Sequence, residues 1–581
     1  MPILDKINSP KDVKTLSLTE MAILAQDIRN GIINRVNTIG GHLGPDLGIV
    51  ETTIAMHYVF NAPEDKFVFD VSHQVYPHKM LTGRKQGFID KNYFSKISGY
   101  SNFEESEFDH FIIGHTSTSI SLACGLAKAR DIKKEKYNVI ALIGDGSLSG
   151  GQAFEGFNNA ATLNSNIIII VNDNEMSIAP NEGGLYKNLA ELRKSNGEAT
   201  NNIFKSLGFE YYYLEEGNNT EKLIELFKKV KDIEKPTVVH IHTLKGKGYK
   251  PAEENKEPFH WTLPNFLDKK NNSIECETYE SITKDYVIRK RDENDPIVLI
   301  NAATPGVFGF TPDYRKELGN HYTDVGIAEE HAIAYASGLA KNGAKPILAL
   351  VSSFVQRTYD QISQDLALNN SPATILIYWG GISNADMTHL CTFDIPLISN
   401  IPNVVYLAPT NKEEYITMLD WAYNQNVYPV FIRVPSNNLI STGEKDNTDY
   451  SQLNKYKIVS KGEKIAIIAA GSFFPLGKNV QSYIKETMGI DATLINPRFL
   501  TGVDKELLED LKQTHSIIIT LEDGEIDGGF GEKITRFYGN SNMKVLNYGS
   551  TKEFTDRVPI KELYARYHLT KELIVEDIKN I

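Results

Sequence analysis

The chain has 581 residues, which at ~150 residues per typical domain allows roughly four average domains or three large ones and argues against one compact core. Its composition, 41% hydrophobic, 23% charged and 10% aromatic, provides ample core and argues against extended disorder. A net charge of −13 argues against a general nucleic-acid or anionic-membrane surface, because such surfaces concentrate positive charge.

In chain order, residues 18–38 carry helical periodicity, 67–71 read as a short strand, and 111–113 as a strand running into a helix over 117–130. Buried β-rich runs at 139–143 and 167–171 each end in Gly, Asp or Asn, and 237–243 closes this first unit. That alternation is the grammar of a parallel sheet with working loops at the strand ends. Residues 261–295 turn polar, with Asp268-Lys269-Lys270-Asn271-Asn272 and a charged run from Arg289 to Asp295, so a linker is expected there. A second alternating unit has apolar runs at 297–300, 347–351, 374–378 and 404–407 and ends near Pro435. Residues 437–456 are again polar, and a third unit opens at 464–472 and continues through 492–495 and 516–521. Three α/β domains in series are therefore expected.

Cys124, Cys276 and Cys391 lie far apart with no CxxC pair, so neither a disulfide framework nor a thiolate metal site is indicated, and free thiols in a reducing cytoplasm are the simplest reading. The N-terminus lacks the basic head and apolar stretch of a signal peptide, and no apolar run approaches the ~20 residues of a membrane span. A cytoplasmic protein with no membrane or nucleic-acid partner is expected.

Gly144-Asp145-Gly146 follows the 139–143 strand directly. A carboxylate at the end of a parallel strand, flanked by glycines, can ligate a hard cation while the backbone approaches a phosphate, although the same tripeptide is also a common turn. Asn172-Asp173-Asn174 follows the next strand. A strand, turn and crossover helix bring the two strand ends side by side, where Asp145 and Asn174 can share one divalent ion. Oxygen ligands favour magnesium over zinc. Gly114-His115-Thr116-Ser117-Thr118-Ser119 offers N–H groups and hydroxyls at a helix N-terminus, either a diphosphate cradle or a Ser/Thr cap.

The Asp145 and Asn174 motifs resemble the metal and diphosphate signature of thiamine diphosphate enzymes. Taken with Val71-Ser72-His73-Gln74-Val75-Tyr76-Pro77-His78-Lys79, Asn174-Glu175-Met176-Ser177-Ile178 and Lys245-Gly246-Lys247-Gly248-Tyr249, they make the chain resemble, over essentially its whole length, the 1-deoxy-D-xylulose-5-phosphate synthase family, relatives of transketolase. The resemblance implies three doubly wound α/β domains of transketolase-like type: 1–290 for diphosphate and Mg²⁺, 291–450 for the pyrimidine, and 451–581 as the C-terminal domain. It implies metal ligation by Asp145, Asn174 and the main-chain carbonyl of Met176. Cofactor contacts are implied for His73, Gly114, His115, Thr116, Gly146, Ser147, Asn174 and Tyr249, with Lys245 near phosphate.

In the second unit, Asp324-Val325-Gly326-Ile327-Ala328-Glu329-Glu330-His331-Ala332 resembles the family segment whose first glutamate meets the aminopyrimidine, which places that role on Glu329. A buried carboxyl hydrogen-bonded to a ring nitrogen shifts proton density within the cofactor. Phe354 matches the residue that stacks on the pyrimidine, and Arg357 the one serving the substrate carboxylate or the active-site network. His42, His260 and His389 match active-site positions suited to placing pyruvate and moving protons, with Asp386 as their charge partner. The implied reaction joins pyruvate, with loss of CO2, to an aldehyde, by family default glyceraldehyde 3-phosphate. The implied assembly is a homodimer.

Departures concentrate around the acceptor. A tyrosine and two arginines that hold the acceptor phosphate in the family fall here on Val351, Trp379 and Ser436. Charge-assisted contacts contribute about 1.5–3 kcal/mol each, so their loss weakens phosphate binding by orders of magnitude unless other groups substitute. A paralogue using an unphosphorylated aldehyde, transketolase-like ketol transfer, and a non-catalytic binding protein are the competing readings. Residues 181–200, polar and containing Gly183-Gly184, form a candidate lid.

Overall fold

Strands form where β-branched and apolar residues run without interruption, and their alternate side chains serve two different cores. The structure, a computed structural model, describes residues 2–267 and 276–581; the expected linker residues Asp268-Lys269-Lys270-Asn271-Asn272 lie outside them. The chain divides into two units, Met1–Ile274 with Gly326–Ala328, and Glu275–Val325 with Glu329–Ile581.

The first unit contains β1 (Gly41–His42), β2 (Lys66–Phe69), β3 (Val139–Gly144), β4 (Ile167–Asp173), β5 (Glu210–Leu214), β6 (Pro236–His242) and β7 (Trp261–Thr262). Five of them make one parallel sheet in the order β2-β3-β4-β6-β5, while β1 and β7 form a separate antiparallel pair. Ile140, Leu142, Ile168 and Ile170 enter one core, and Val139, Ala141, Ile143, Ile169 and Val171 the other. Helices therefore cover both faces, as the unbroken apolar runs require. The helix Leu18–Ile39 is stopped at Gly40, whose φ of +80° lies in the left-handed region.

The second unit carries two sheets. β8 (Ile297–Asn301), β9 (Tyr322–Asp324), β10 (Lys345–Val351), β11 (Thr374–Tyr378), β12 (Val405–Leu407) and β13 (Val430–Arg433) are all parallel, in the order β12-β13-β11-β10-β8-β9. β14 (Lys457–Ser460), β15 (Lys464–Ala469), β16 (Thr493–Asn496), β17 (His515–Glu525) and β18 (Lys544–Ser550) follow the order β14-β16-β15-β17-β18, with β14 alone antiparallel. Leu348, Leu350, Ile375 and Ile377 share a core with Ala466, Ile468 and Ile518, so one hydrophobic cluster joins the two sheets.

Two expectations need correction. Residues 111–113 form no strand, because the carbonyls of Phe111 and Ile113 accept from the hydroxyls of Ser101 and Ser72 rather than from a neighbouring strand. The charged run at 289–295 is largely helix: Tyr279–Asp292 is capped by Thr278 and buries Tyr279, Ile282, Thr283, Tyr286 and Val287, a helical stripe beneath a charged outer face. The candidate lid holds the helix Gly184–Lys194, which buries Leu189 and Leu192 and is tied down through Arg193 to Asp173. Among the described residues no helix is long and apolar enough to cross a membrane.

Candidate active site

In the first unit, β3 and β4 run parallel with Gly144 opposite Asn172, which brings Asp145 and Asn174 to neighbouring strand ends. Asp145 is buried and its Oδ2 accepts from Nδ2 of Asn181 at 2.6 Å. Its Oδ1 and the Oδ1 of Asn174 are buried and accept no hydrogen bond among the described residues. Desolvation first, and then the charge of Asp173, push the Asp145 carboxyl up to about 8. Two inward, unsatisfied oxygens on adjacent strands are costly by themselves and suit a hard divalent cation. Asp173, by contrast, is satisfied by His240 and Arg193 and reads as structural.

Close backbone approach explains Gly146. A Cβ there would stand 2.9 Å from Cα of Ser177, in the loop that carries Met176. The hydroxyl of Tyr186 donates to the carbonyls of Asp145 and Gly146 at 3.3 and 3.2 Å. Asp70, buried directly after β2, holds the Gly114–Ser117 turn: both its oxygens accept from the N–H of Ser117, at 2.6 and 2.7 Å. Ser117 has φ +73° and donates its hydroxyl to the carbonyl of Ser147 at 2.8 Å. The helix Ser119–Lys133 starts without a side-chain cap from Thr118, so the simple capping alternative is not realised.

The antiparallel β1·β7 pair places Gly41 opposite Thr262 and His42 opposite Trp261, joining the two ends of the unit. His42, His73 and His260 form a ring cluster with centroids 5.1, 5.5 and 5.3 Å apart. The buried Lys245 donates to the carbonyl of Ser177 at 2.6 Å and lies 3.0 Å from Nδ1 of His260. Burial pulls Lys245 down to about 7, and burial followed by the nearby Lys245 charge holds His260 well below its ordinary value. Tyr249 packs edge-on against Phe259 and Phe266, beside His260 in the chain. Asp70, Asn181 and Tyr186 escaped sequence reasoning; of these only Asp70, at the end of a buried apolar strand, carried a usable signal.

In the second unit, Glu329 opens the helix Glu329–Lys341 after β9 and is 3% exposed. Its Oε2 lies 3.8 Å from Nη1 of Arg357 and accepts no hydrogen bond among the described residues. Desolvation outweighs Arg357 and raises the carboxyl to about 7. Phe354 and Arg357 sit in the 3-10 turn Ser352–Thr358 after β10. His389, in the turn Met387–His389, stands edge-on to Phe354 with centroids 5.8 Å apart, and burial lowers it to about 4. Asp386 lies 3.5 Å from Nε of Arg557. The structure thus gathers Glu329, Phe354, Arg357, His389 and Asp386 at the carboxyl ends of the parallel strands, where α/β sheets bind ligands.

The three departing positions lie around the same edge. Val351 ends β10 and is buried, Trp379 follows β11 at 52% exposure, and Ser436 is exposed beyond β13. Arg433 is engaged: Nε donates to Asp394 at 2.7 Å and Nη2 to the carbonyl of Asp523 at 2.6 Å. The Asp523 carboxyl accepts from the N–H of Ile382 at 2.8 Å and from the hydroxyl of Ser436 at 3.5 Å.

Parallel sheets with hard oxygen donors at adjacent strand ends in one unit, and a buried glutamate with a histidine at the strand ends of another, define a transketolase-like transferase. Residues 4–201 and 195–243 match the family model for 1-deoxy-D-xylulose-5-phosphate synthase, 279–441 the transketolase pyrimidine binding domain, and 454–574 the transketolase C-terminal domain. The 1-deoxy-D-xylulose-5-phosphate synthases of Dictyoglomus thermophilum and Alkaliphilus oremlandii are 38% and 37% identical, covering 100% and 99% of this chain and 99% and 98% of their own. Transketolase from Campylobacter jejuni aligns structurally at 16% identity over 97% of this chain and 99% of its own, with a TM-score of 0.45. The chain belongs to the 1-deoxy-D-xylulose-5-phosphate synthase family, whose members are thiamine diphosphate-dependent transferases.

Proposed function

We propose that the chain catalyses the decarboxylative condensation of pyruvate with an aldehyde, by family default glyceraldehyde 3-phosphate giving 1-deoxy-D-xylulose 5-phosphate and CO2, using thiamine diphosphate and Mg²⁺. The carrying observation is the pair of buried, unsatisfied oxygens of Asp145 and Asn174 at adjacent strand ends. These two side chains, with the carbonyl of Met176, would hold Mg²⁺ against the diphosphate, and Gly146, Ser147, Lys245 and the Gly114–Thr116 turn would receive the phosphate oxygens. Bound there, thiamine diphosphate would supply a carbanion equivalent and a sink for the charge of decarboxylation.

The chain's own residues do the rest. Glu329, buried and raised to about 7, would hold a proton at a cofactor ring nitrogen, and Phe354 would provide the stacking face. Arg357 orients a carboxylate. His42, His260 and His389 accept and return protons at the substrate oxygens, burial holding His260 and His389 below the ordinary imidazole value, and Asp386 orients the segment carrying His389. The reading includes a cytoplasmic homodimer and domain borders at 1–290, 291–450 and 451–581. Its test is CO2 release from carboxyl-labelled pyruvate, dependent on thiamine diphosphate, Mg²⁺ and aldehyde. Absence of CO2 with full cofactor, or ketol transfer from a ketose phosphate, would sink it.

One set of observations favours a second reading, an unphosphorylated acceptor. Val351, Trp379 and Ser436 supply no cation, Arg433 is held by Asp394, and the charged group hydrogen-bonded to Ser436 is the Asp523 carboxylate, which repels phosphate. Steady-state rates with pyruvate and a panel of aldehydes separate the two, and saturation by glyceraldehyde 3-phosphate alone removes this one.

A further inference from the structure

The turn carrying Asp386 and His389 is gripped by a segment of the C-terminal sheet. From β18 the chain runs through residues 551–559 to the helix Ile560–Arg566. The N–H of Arg557 donates to the carbonyl of Ala385 at 2.9 Å, and Oδ1 of Asp556 accepts from the N–H of Met387 at 3.2 Å. These two bonds fasten the backbone on either side of Asp386. Nε of Arg557 stands 3.5 Å from Oδ1 of Asp386. The guanidinium is itself oriented by Oδ2 of Asp556, which accepts from Nε and Nη2 at 3.1 and 2.8 Å.

The gripping segment has its own anchor. Glu553 accepts from Nη1 of Arg566 at 3.1 and 2.9 Å and from the hydroxyl of Tyr567 at 2.7 Å. Arg557 adopts φ +51°, a left-handed conformation that a non-glycine residue keeps only where its surroundings hold it. Inside the turn, the N–H of His389 donates to the carbonyl of Asp386 at 2.9 Å, so the histidine inherits its place against Phe354 from the backbone that Asp556 and Arg557 fix.

We propose that Asp556 and Arg557 are positioning residues that hold the Asp386–His389 turn in register for bond formation with the aldehyde. Nothing in the 451–581 sequence pattern marks them, since they lie in a loop and act through backbone groups of another segment. The inference rests on the reaction proposed above for its kinetic arm, while its structural arm stands independently. Both side chains are part-exposed and belong to none of the apolar clusters, so their replacement leaves the fold intact.

The test uses the full chain with thiamine diphosphate and Mg²⁺, in the variants Arg557→Met, Arg557→Lys and Asp556→Asn. Hydrogen exchange at the Met387 amide is expected to quicken about tenfold in Asp556→Asn and Arg557→Met. Aldehyde-dependent kcat is expected to fall about tenfold in the same two, as a small misplacement of a proton-transfer group does. KM for pyruvate and affinity for thiamine diphosphate stay within about twofold. Arg557→Lys, which keeps the cation beside Asp386, recovers most of kcat. Unchanged exchange in both variants overturns the proposal whatever the rates, as does a parallel rise in KM and cofactor Kd. A wild-type protein that releases no CO2 from pyruvate removes the proposed reaction, and the exchange result still decides the grip.

Discussion

Lys245 fixes the state of His260. In its protonated form the Lys245 amine, 3.0 Å from Nδ1 of the histidine, can only donate, which leaves Nδ1 as acceptor and the proton on Nε2; burial, which pulls the amine down to about 7, confines that state to neutral pH and below. Burial first and the Lys245 charge second keep the imidazole neutral. In Lys245→Met the second influence disappears, so the His260 pKa must rise. The acid limb of the pH–rate profile is expected to move upward, and the histidine's proton resonance to titrate at higher pH. A profile identical to wild type would remove the pairing from the mechanism.

Glu329 makes a second prediction. Glu329→Gln keeps the shape and loses the ionisable proton, so CO2 release should drop by about 10²–10⁴-fold while thiamine diphosphate affinity changes little. Arg357 opposes the desolvation that lifts Glu329 to about 7. Arg357→Met should therefore raise that pKa further and shift the alkaline limb, where the proton is lost, upward. Full activity in Glu329→Gln would show that the proton is held elsewhere.

Mg²⁺ with thiamine diphosphate should stabilise the wild-type protein thermally, by about 2.7 kcal/mol at a hundred times Kd. Asp145→Asn should show no such shift, and Gly146→Ala a much smaller one, because its methyl meets Ser177 at 2.9 Å. An equal rise in Tm in Asp145→Asn would dismiss the assigned cation site.

Acid should weaken the first unit through a buried relay. Nε2 of His57 lies 2.9 Å from Nδ1 of His78, and Nε2 of His78 lies 2.9 Å from Asp109, which also takes two bonds from Arg84. Burial holds His57 and His78 below the ordinary 6.5; at Asp109 burial works the other way, but the Arg84 and His78 bonds outweigh it and hold the carboxyl below the carboxylate range. At these three groups the unfolded chain binds protons that the native chain refuses, so the relay's contribution to stability falls as pH drops through 6.5 and on toward the carboxylate range, against the opposite contribution of the raised Asp46 and Asp145 carboxyls. The urea midpoint should decline steadily from about pH 7.5 to about pH 5. Asp109→Asn, which strands Arg84, should cost about 3–5 kcal/mol. A midpoint flat across that range would contradict the sign.

At the acceptor edge, Trp379→Arg returns one cation to a half-exposed position. A single charge-assisted contact contributes about 1.5–3 kcal/mol, so kcat/KM for glyceraldehyde 3-phosphate relative to glyceraldehyde should rise at least about tenfold. No change in that ratio would place the acceptor elsewhere.

Much of this was legible because it is local. A buried strand followed by Gly-Asp-Gly, and the next by Asn-Asp-Asn, specifies both the sheet and two facing oxygens within one short stretch. Glu329 was legible by family likeness, and its burial follows from the small residues Ala332, Ala336 and Ala340 on the same helix. The Lys245–His260–His42 convergence was not, since β1 and β7 are two-residue strands with no propensity signal. Asn181, Asp70 and Arg557 are single polar residues in loops whose partners are distant in sequence. The helix Tyr279–Asp292 was masked because its exposed face is densely charged, while its apolar stripe is built largely from tyrosine and threonine.

The β1·β7 pair also sets an order of events during synthesis. His42 emerges from the ribosome early, yet its ring partner His260 and the Lys245 beside that histidine come only near the end of the first unit. A nascent chain halted before Lys245 contains the five-stranded sheet, with Asp145, Asn174 and the Gly114–Ser117 turn, but lacks His260 and the lysine beside it. On the proposed reading, residues that would hold the cofactor are thus made before the full set that would use it.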